Sequence, residues 1–342
     1  STRKESSAAS DVYKRQIHMN LMWIFYLCTF VHIPILVHIP PVTFFIQEVF
    51  MTFDTFKETI VSALSDYYGN DYILSIQEIP KNNHITLEGL TIQKKGHNIS
   101  PTIYLNPYFA KFQNGMPMFF ILEQIKNTYA MHHPGDHVDI RFFTDYENAK
   151  DRICMKLIHY EKNRELLKEV PHIRFLDLAV VFYYLIYLTP GEQATILIYN
   201  RHLPYWNVST DTLFESAKIN TPKLLPYYFD DVFSILRNVS DLAEFSKEQL
   251  YSLYVLTNSE KLFGAAVILY PNLLSSIAKK INHDLIIIPS SLHEVLLLPA
   301  DQGESFEEYA PIIQEVNHSE LLPEEVLSDH AYYYSRKTDS IC

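Results

Sequence analysis

The sequence predicts an α+β or mixed α/β fold, with hairpin-containing mixed sheets and flanking helices. Three observations carry this. Segments with apolar residues at helical spacing are interleaved with segments that alternate apolar and polar residues. The most apolar runs after residue 51 are each broken by a turn signal, as buried hairpins are. Hairpins are more evident than repeated βαβ units, and there is no internal repeat or low-complexity tract. With 342 residues and 48% hydrophobic content, the chain can bury a substantial core.

Taken in order, "FDTFKETIVSALSDYYGND" spaces Phe53, Phe56, Ile60, Val61 and Leu64 on one helical face, and Gly69 can stop the helix. "YILSIQEIPKNNHITLEGLTIQKKG" alternates on both sides of "PKNNH" and reads as a hairpin. In "SPTIYLNPYFAKFQNG" a short strand precedes a helix opening at Asn106-Pro107, where proline suits the first turn. "MPMFFILEQIKNTYAMHH" is a second amphipathic helix, and "HHPGDHVD" a loop that marks a subdomain boundary. "RICMKLIHY" is a strand and "EKNRELLKEV" a short charged helix ended by Pro171. "FLDLAVVFYYLIYL", "TPGEQ" and "ATILIYN" form a hairpin of buried strands; the first run is too short for a membrane helix. "STDTLFESAKINTPKL" is a helix capped at Ser209 or Thr210. "LYSLYVLTN" is a strand and "NLLSSIAKKIN" a helix. "DLIIIPSSLHEVLLLP" is two strands broken at Pro289; "SFEEYAPIIQEVNHSELLPEEVL" is mostly helix, and "AYYYSRK" a final strand.

The first fifty residues are read differently. Arg3, Lys4, Lys14 and Arg15 precede a run from Ile17 to Gln47 without Asp, Glu, Lys or Arg, the pattern of a signal peptide or anchor. Yet the run holds His18, His32, His38, Pro34, Pro40 and Pro41, which are costly in lipid. Ser6 to Gln16, "SSAASDVYKRQ", can be back-translated into a transposase-type sequencing adapter. Gln47 to Met51 can be spelled with a ribosome-binding sequence just ahead of an ATG. The expectation is therefore that residues 1–50 are a spurious extension, adapter plus translated upstream region, and that Met51 is the start. Residues 51–135 then form an N-terminal α+β subdomain and 136–342 a C-terminal mixed α/β subdomain.

Charge and cysteine usage narrow the function. The chain carries 28 Lys/Arg against 40 Asp/Glu, a net charge of −12. Without a basic block this is a poor match for nucleic acid or an anionic membrane surface. Beyond residue 50 only Cys154 and Cys342 remain, which excludes a disulfide framework and a four-cysteine zinc site and points to a reducing, cytoplasmic setting. Glycine is scarce, and neither GxGxxG nor GxxxxGK[ST] occurs.

Three clusters could carry chemistry. His132, His133, Asp136, His137 and Asp139 could ligate a transition metal, although their spacing fits no standard zinc pattern and suits a polar loop equally well. Ser290, Ser291, His293 and Glu294 could supply a nucleophile and base. In a strand, Ser291 and His293 would share one face and Glu294 would point to the other. Neither GxSxG nor HExxH is present, and a structural turn after Pro289 explains the same residues. Asp329 and His330 could work in acid–base chemistry, although neighbours on a strand face opposite ways. Tyr332 and Tyr334 would present one aromatic face, useful for a partner and equally ordinary on a half-buried edge strand. Tyr183, Tyr184 and Tyr187 read as core, and Arg201-His202 could meet an anion at a helix start.

Several segments together resemble a known family: "ISPTIYLNPYF", "KLIHYEKNRELLKEVPHIRFLDLAVVFYYL", "ATILIYNRHLPYW", "VLTNSEKLFGAAVILYP", "DLIIIPSSLHEVLLLP" and "VLSDHAYYYSR". They are similar to an uncharacterised family of gut-clostridial proteins, a domain of unknown function numbered 5688 in its series. The resemblance spans nearly all of Met51 to Asp339 and implies a bacterial, cytoplasmic protein, but no activity, cofactor or catalytic residue. The sequence therefore predicts a non-catalytic binding or regulatory module with a protein partner, no cofactor, no nucleic acid and no membrane. The competing reading is a hydrolase of unknown type using Ser291 and His293, with Asp329 or His330 in support.

Overall fold

The computed structural model describes residues 51–97, 100–132, 145–189, 192–232, 253–301 and 305–342. Residues 1–50, with the expected adapter and start site, lie outside them. The chain divides into two compact units, one within Ile35–Phe142 and one taking in Phe143–Cys342.

In the first unit, helix α1 (Phe53–Tyr68) begins where the Thr52 hydroxyl accepts from the Thr55 N–H. It ends at Gly69, whose φ of 70° a side chain would strain. Strands β1 (Tyr72–Pro80) and β2 (Thr86–Lys94) form the expected hairpin, with Ile76 opposite Leu90 and Glu78 opposite Glu88. The short β3 (Thr102–Tyr104) adds to β2. Helices α2 (Asn106–Gln113), with proline in its first turn, and α3 (Met118–His132) follow. Phe56, Ile60 and Leu64 of α1 join Leu90, Ile92, Ile103, Leu105, Phe112, Ile121, Ile125 and Tyr129 in one core. The 3.6-residue period of the helices and the two-residue period of the strands thus converge on a single apolar layer.

The second unit holds two antiparallel sheets. Strand β4 (Ile153–His159) pairs with one side of β6 (Leu178–Thr189). On the other side, β5 (His172–Phe175) covers the first part of β6, and β7 (Glu192–Leu197) the remainder. Between β4 and β5 lies helix α4 (Arg164–Glu169). After the five-residue helix α5 (His202–Trp206), helix α6 (Thr210–Leu224) starts at the Ser209 cap, whose hydroxyl accepts from Thr212 N–H. Residues 178–185 are all buried because both faces of β6 are covered. Phe182 meets Phe214 of α6 on one face, and Tyr183 meets Phe263 on the other. Edge strand β4 is closed by α6: Thr221 Oγ1 accepts from Met155 N–H, and the Asn220 amide donates to the Lys150 and Ile153 carbonyls.

The six-stranded sheet has the order β13-β12-β10-β11-β9-β8. Its members are β8 (Tyr227–Asp231), β9 (Tyr254–Asn258), β10 (Asp284–Pro289), β11 (Val295–Ala300), β12 (Tyr332–Ser335) and β13 (Ser340–Ile341). Helices α7 (Leu273–Ile281) and α8 (Ala310–Ser319) accompany it. Central β10 is buried throughout, including Asp284, which accepts from Tyr333 OH at 2.8 Å and from Arg336 Nε at 3.1 Å. Burial acts to raise the Asp284 pKa, but these donors outweigh it and hold the carboxyl below its usual range.

The α+β reading holds, and every strand pairing among the described residues is antiparallel. Strands β5, β8 and β13 were not legible: the first and last are short, and "YYFDD" ends in two acids and shows no alternation. Tyr332, Tyr333 and Tyr334 are 2%, 7% and 3% exposed, so β12 presents no aromatic face to a partner; it lies inside the sheet between β10 and β13.

Gly89 tests the packing of the first unit. A Cβ there would stand 2.6 Å from Thr102 Cγ2 and 2.8 Å from Ile79 Cγ1. Gly89→Ala is expected to lower stability by about 1–3 kcal/mol through overpacking, seen as a reduced urea midpoint.

Candidate functional sites

The residues Ser290–Glu294 form the turn between β10 and β11 rather than a strand. Ser291 Oγ accepts from the His293 backbone N–H at 3.0 Å, and Ser290 Oγ donates to Glu294 Oε1 at 3.1 Å. The His293 ring stacks on Phe263, and its Nδ1 lies 2.9 Å from the Lys261 carbonyl and 3.3 Å from the Phe263 N–H. That loop is itself constrained. Lys261 and Phe263 take positive φ values of 52° and 49°, and the Asn258 side chain binds Glu260 N–H, Leu262 N–H and the Leu262 carbonyl. Burial pushes the Glu294 carboxyl pKa up. The hydroxyl and the imidazole of this turn are thus engaged with backbone rather than with each other.

Asp329 and His330 fall in a different cluster, centred on Asp177 in the two-residue turn between β5 and β6. The Asp177 carboxylate accepts from Tyr332 OH at 2.8 Å and Ser328 Oγ at 3.2 Å. His330 Nε2 lies 3.2 Å from it and His159 Nε2 3.8 Å. His159 Nδ1 accepts from the Lys162 N–H, so a neutral His159 ring carries its hydrogen on Nε2, facing the carboxylate. Lys162 Nζ donates to Asp329 Oδ2 at 2.7 Å, and the Asn317 amide to Asp329 Oδ1. Burial depresses the His159 pKa, against the pull of Asp177. Burial acts to raise the Asp329 pKa, yet Lys162 and Asn317 hold it below its ordinary value.

His132 ends α3 with Nδ1 against the Thr128 carbonyl. His133, Asp136, His137 and Asp139 lie outside the described residues. Among the described residues no group of three His, Cys, Asp or Glu is placed to hold a metal ion. His202 Nδ1 accepts from Tyr199 N–H, and Arg201 covers the Tyr199 ring, so this pair caps its own turn. Tyr183 and Tyr184 are core, whereas Tyr187 is 41% exposed.

Two concavities mark the first unit. One, of about 460 Å³, is lined by Lys111, Asn114, Gly115, Met116, Pro117, Phe120 and Gln124 where α2 meets α3. Phe119 and Phe120 stand 66% and 55% exposed beside it. The other, of about 740 Å³, runs between α1 and β1. Neither was legible in the sequence, where Phe119 and Phe120 only look like part of an amphipathic helix.

A family of unknown function (DUF5688) matches residues 53–336, and the chain belongs to that family. No curated protein and no solved structure matches it. Among the described residues no helix is long and apolar enough to cross a membrane.

Two outcomes follow from the Asp177 cluster. Asp177→Asn places amide hydrogens where donors already converge and should cost about 1–3 kcal/mol of stability, read from denaturant midpoints. His159 has a folded pKa below its ordinary 6.5, so the unfolded chain takes up its proton first as pH falls. Asp329 contributes stability above the ordinary carboxylate range that is lost as pH falls through its folded pKa. Both groups make acid destabilising, so the melting temperature should decline below about pH 6.5. His159→Gln should remove the upper part of that decline while leaving the lower part.

Proposed function

We propose that the protein is a non-catalytic binding module whose ligand is another polypeptide, held on the first unit. The observation that carries this is the α2–α3 concavity with Phe119 and Phe120 exposed at its side. Contiguous exposed aromatic surface is kept where a partner covers it. The competing hydrolase reading needs Ser291 and His293 to act together. It is disfavoured because the Ser291 hydroxyl accepts from the backbone of its own turn and the His293 ring is docked on the 258–264 loop. The same proposal takes the protein as bacterial and cytoplasmic; the free thiols of Cys154 and Cys342 support the reducing compartment alone.

The test combines chemistry and capture. A photo-crosslinking residue at Phe119 should give a discrete protein adduct in native extract that Phe120→Asp abolishes, while the same residue at the exposed Tyr205 gives none. Ester, amide, glycoside and phosphoester substrates should show no turnover. Turnover abolished by Ser291→Ala, or equal adducts from both positions, would overturn the proposal.

A further inference from the structure

We infer that the free edge of β1 and the groove beside it bind an extended, lysine- or arginine-bearing peptide by strand addition. This rests on the binding-module reading for the ligand class alone and concerns a different surface from the α2–α3 concavity.

Strand β1 is nine residues long and, among the described residues, has a strand on one side only, in the order β1-β2-β3. Long, unprotected edges are normally blunted by a lysine, a bulge or a covering element, because their backbone groups template another strand. Here Ile73, Gln77 and Glu78 are exposed, the only terminating device among the described residues is Pro80 at the far end, and the register against β2 has no bulge. Alongside this edge the α1–β1 groove is open and lined by Val61, Leu74 and Ile76 at its base.

Charge selects the occupant. Asp54, Glu58, Glu78 and Glu88 line the groove against the single cation Lys57. Lys57 Nζ is already bound to Glu88 at 2.7 Å and Asp54 at 3.0 Å. Glu78 stands directly opposite Glu88 in the register, a like-charge pair that costs stability. Among the described residues no cation pairs with Glu78 or Glu58. A peptide strand laid on β1 places every second side chain on the groove side. Lysine or arginine at those positions would meet Glu58 and Glu78 while the backbone completes the edge. A second copy of this chain is disfavoured, because β1 paired with β1 brings acids towards acids, and the second copy's Lys57 is already bound to its own Glu88 and Asp54.

A short peptide alternating lysine and valine is the probe, followed by backbone NMR of the full chain. Binding should be saturable, and shifts should concentrate on β1 and the facing turns of α1. Glu58→Lys and Glu78→Lys alter exposed side chains, so both variants should fold, and each should weaken affinity tenfold or more. The same peptide N-methylated on alternate amides keeps its charge but cannot extend the ladder, and should lose affinity to the same degree. Equal affinity of the methylated peptide would reduce the site to charge attraction and overturn strand addition. Absence of saturable binding, preference for a glutamate–valine peptide, or dimerisation through β1 would overturn the inference. The crosslinking result at Phe119 stands apart from all of these, so either idea can fail alone.

Discussion

The carboxylate of Asp177 is the constraint on which the second unit turns. It sits at the tip of the β5–β6 hairpin, where Leu176 is held at a φ of 56°, a conformation that a branched side chain adopts only under external restraint. The restraint is visible. Tyr160 N–H donates to the Asp177 carbonyl, and Tyr332, Ser328 and His330 converge on its carboxylate. A half-buried charge needs such donors, and they come from the segment entering β12. The hairpin of one sheet is thereby fixed to a strand of the other. These donors make the group a fastening between the two sheets. Burial, together with the negative charge beside it, raises the Tyr332 pKa, so this phenol stays a donor.

Around that fastening the apolar layers follow. Strand β6 is covered on both faces, so its sequence is a continuous apolar run, and its edges are closed by strands on both sides. Asp284 and Arg336 repeat the principle near the opposite end of β12: a carboxylate in a buried strand is retained because a tyrosine and a guanidinium meet it. The first unit has a different character. Its core is built from apolar side chains with the Tyr129 phenol among them, while carboxylates gather around α1 and β1, where no cation among the described residues pairs with Glu58 or Glu78. Binding readings therefore concentrate there, and hydrogen-bond fastening in the second unit.

Much of this fold could be read in the chain. The helix beginning after Thr52, the hairpin around "PKNNH", the β6–β7 hairpin and the Ser209 cap all follow from spacing and turn chemistry, because each depends on neighbours in sequence. Strand β8 could not be read in the same way: "YYFDD" becomes a strand by pairing with β9 across a long separation. The candidate residues divide along the same line. Asp329 and His330 attract notice as neighbours, yet their partners His159, Lys162 and Asp177 lie far away in sequence. Ser291 and His293 are close in the chain and share a turn, but the turn directs the serine to the backbone.

By itself, then, the sequence determined the local elements, the core-facing residues of the long helices and strands, and the absence of familiar catalytic spacings. Those properties are set by periodicity and by side-chain chemistry within a few residues. Only the tertiary structure decided which charges meet donors and which stand exposed. It surrounded Asp177 with four side chains from two distant segments, buried Tyr332–Tyr334 inside a sheet, and set Glu78 opposite Glu88 beside an edge that is free among the described residues. Such outcomes depend on which distant segments pack together, and no window of sequence contains that information.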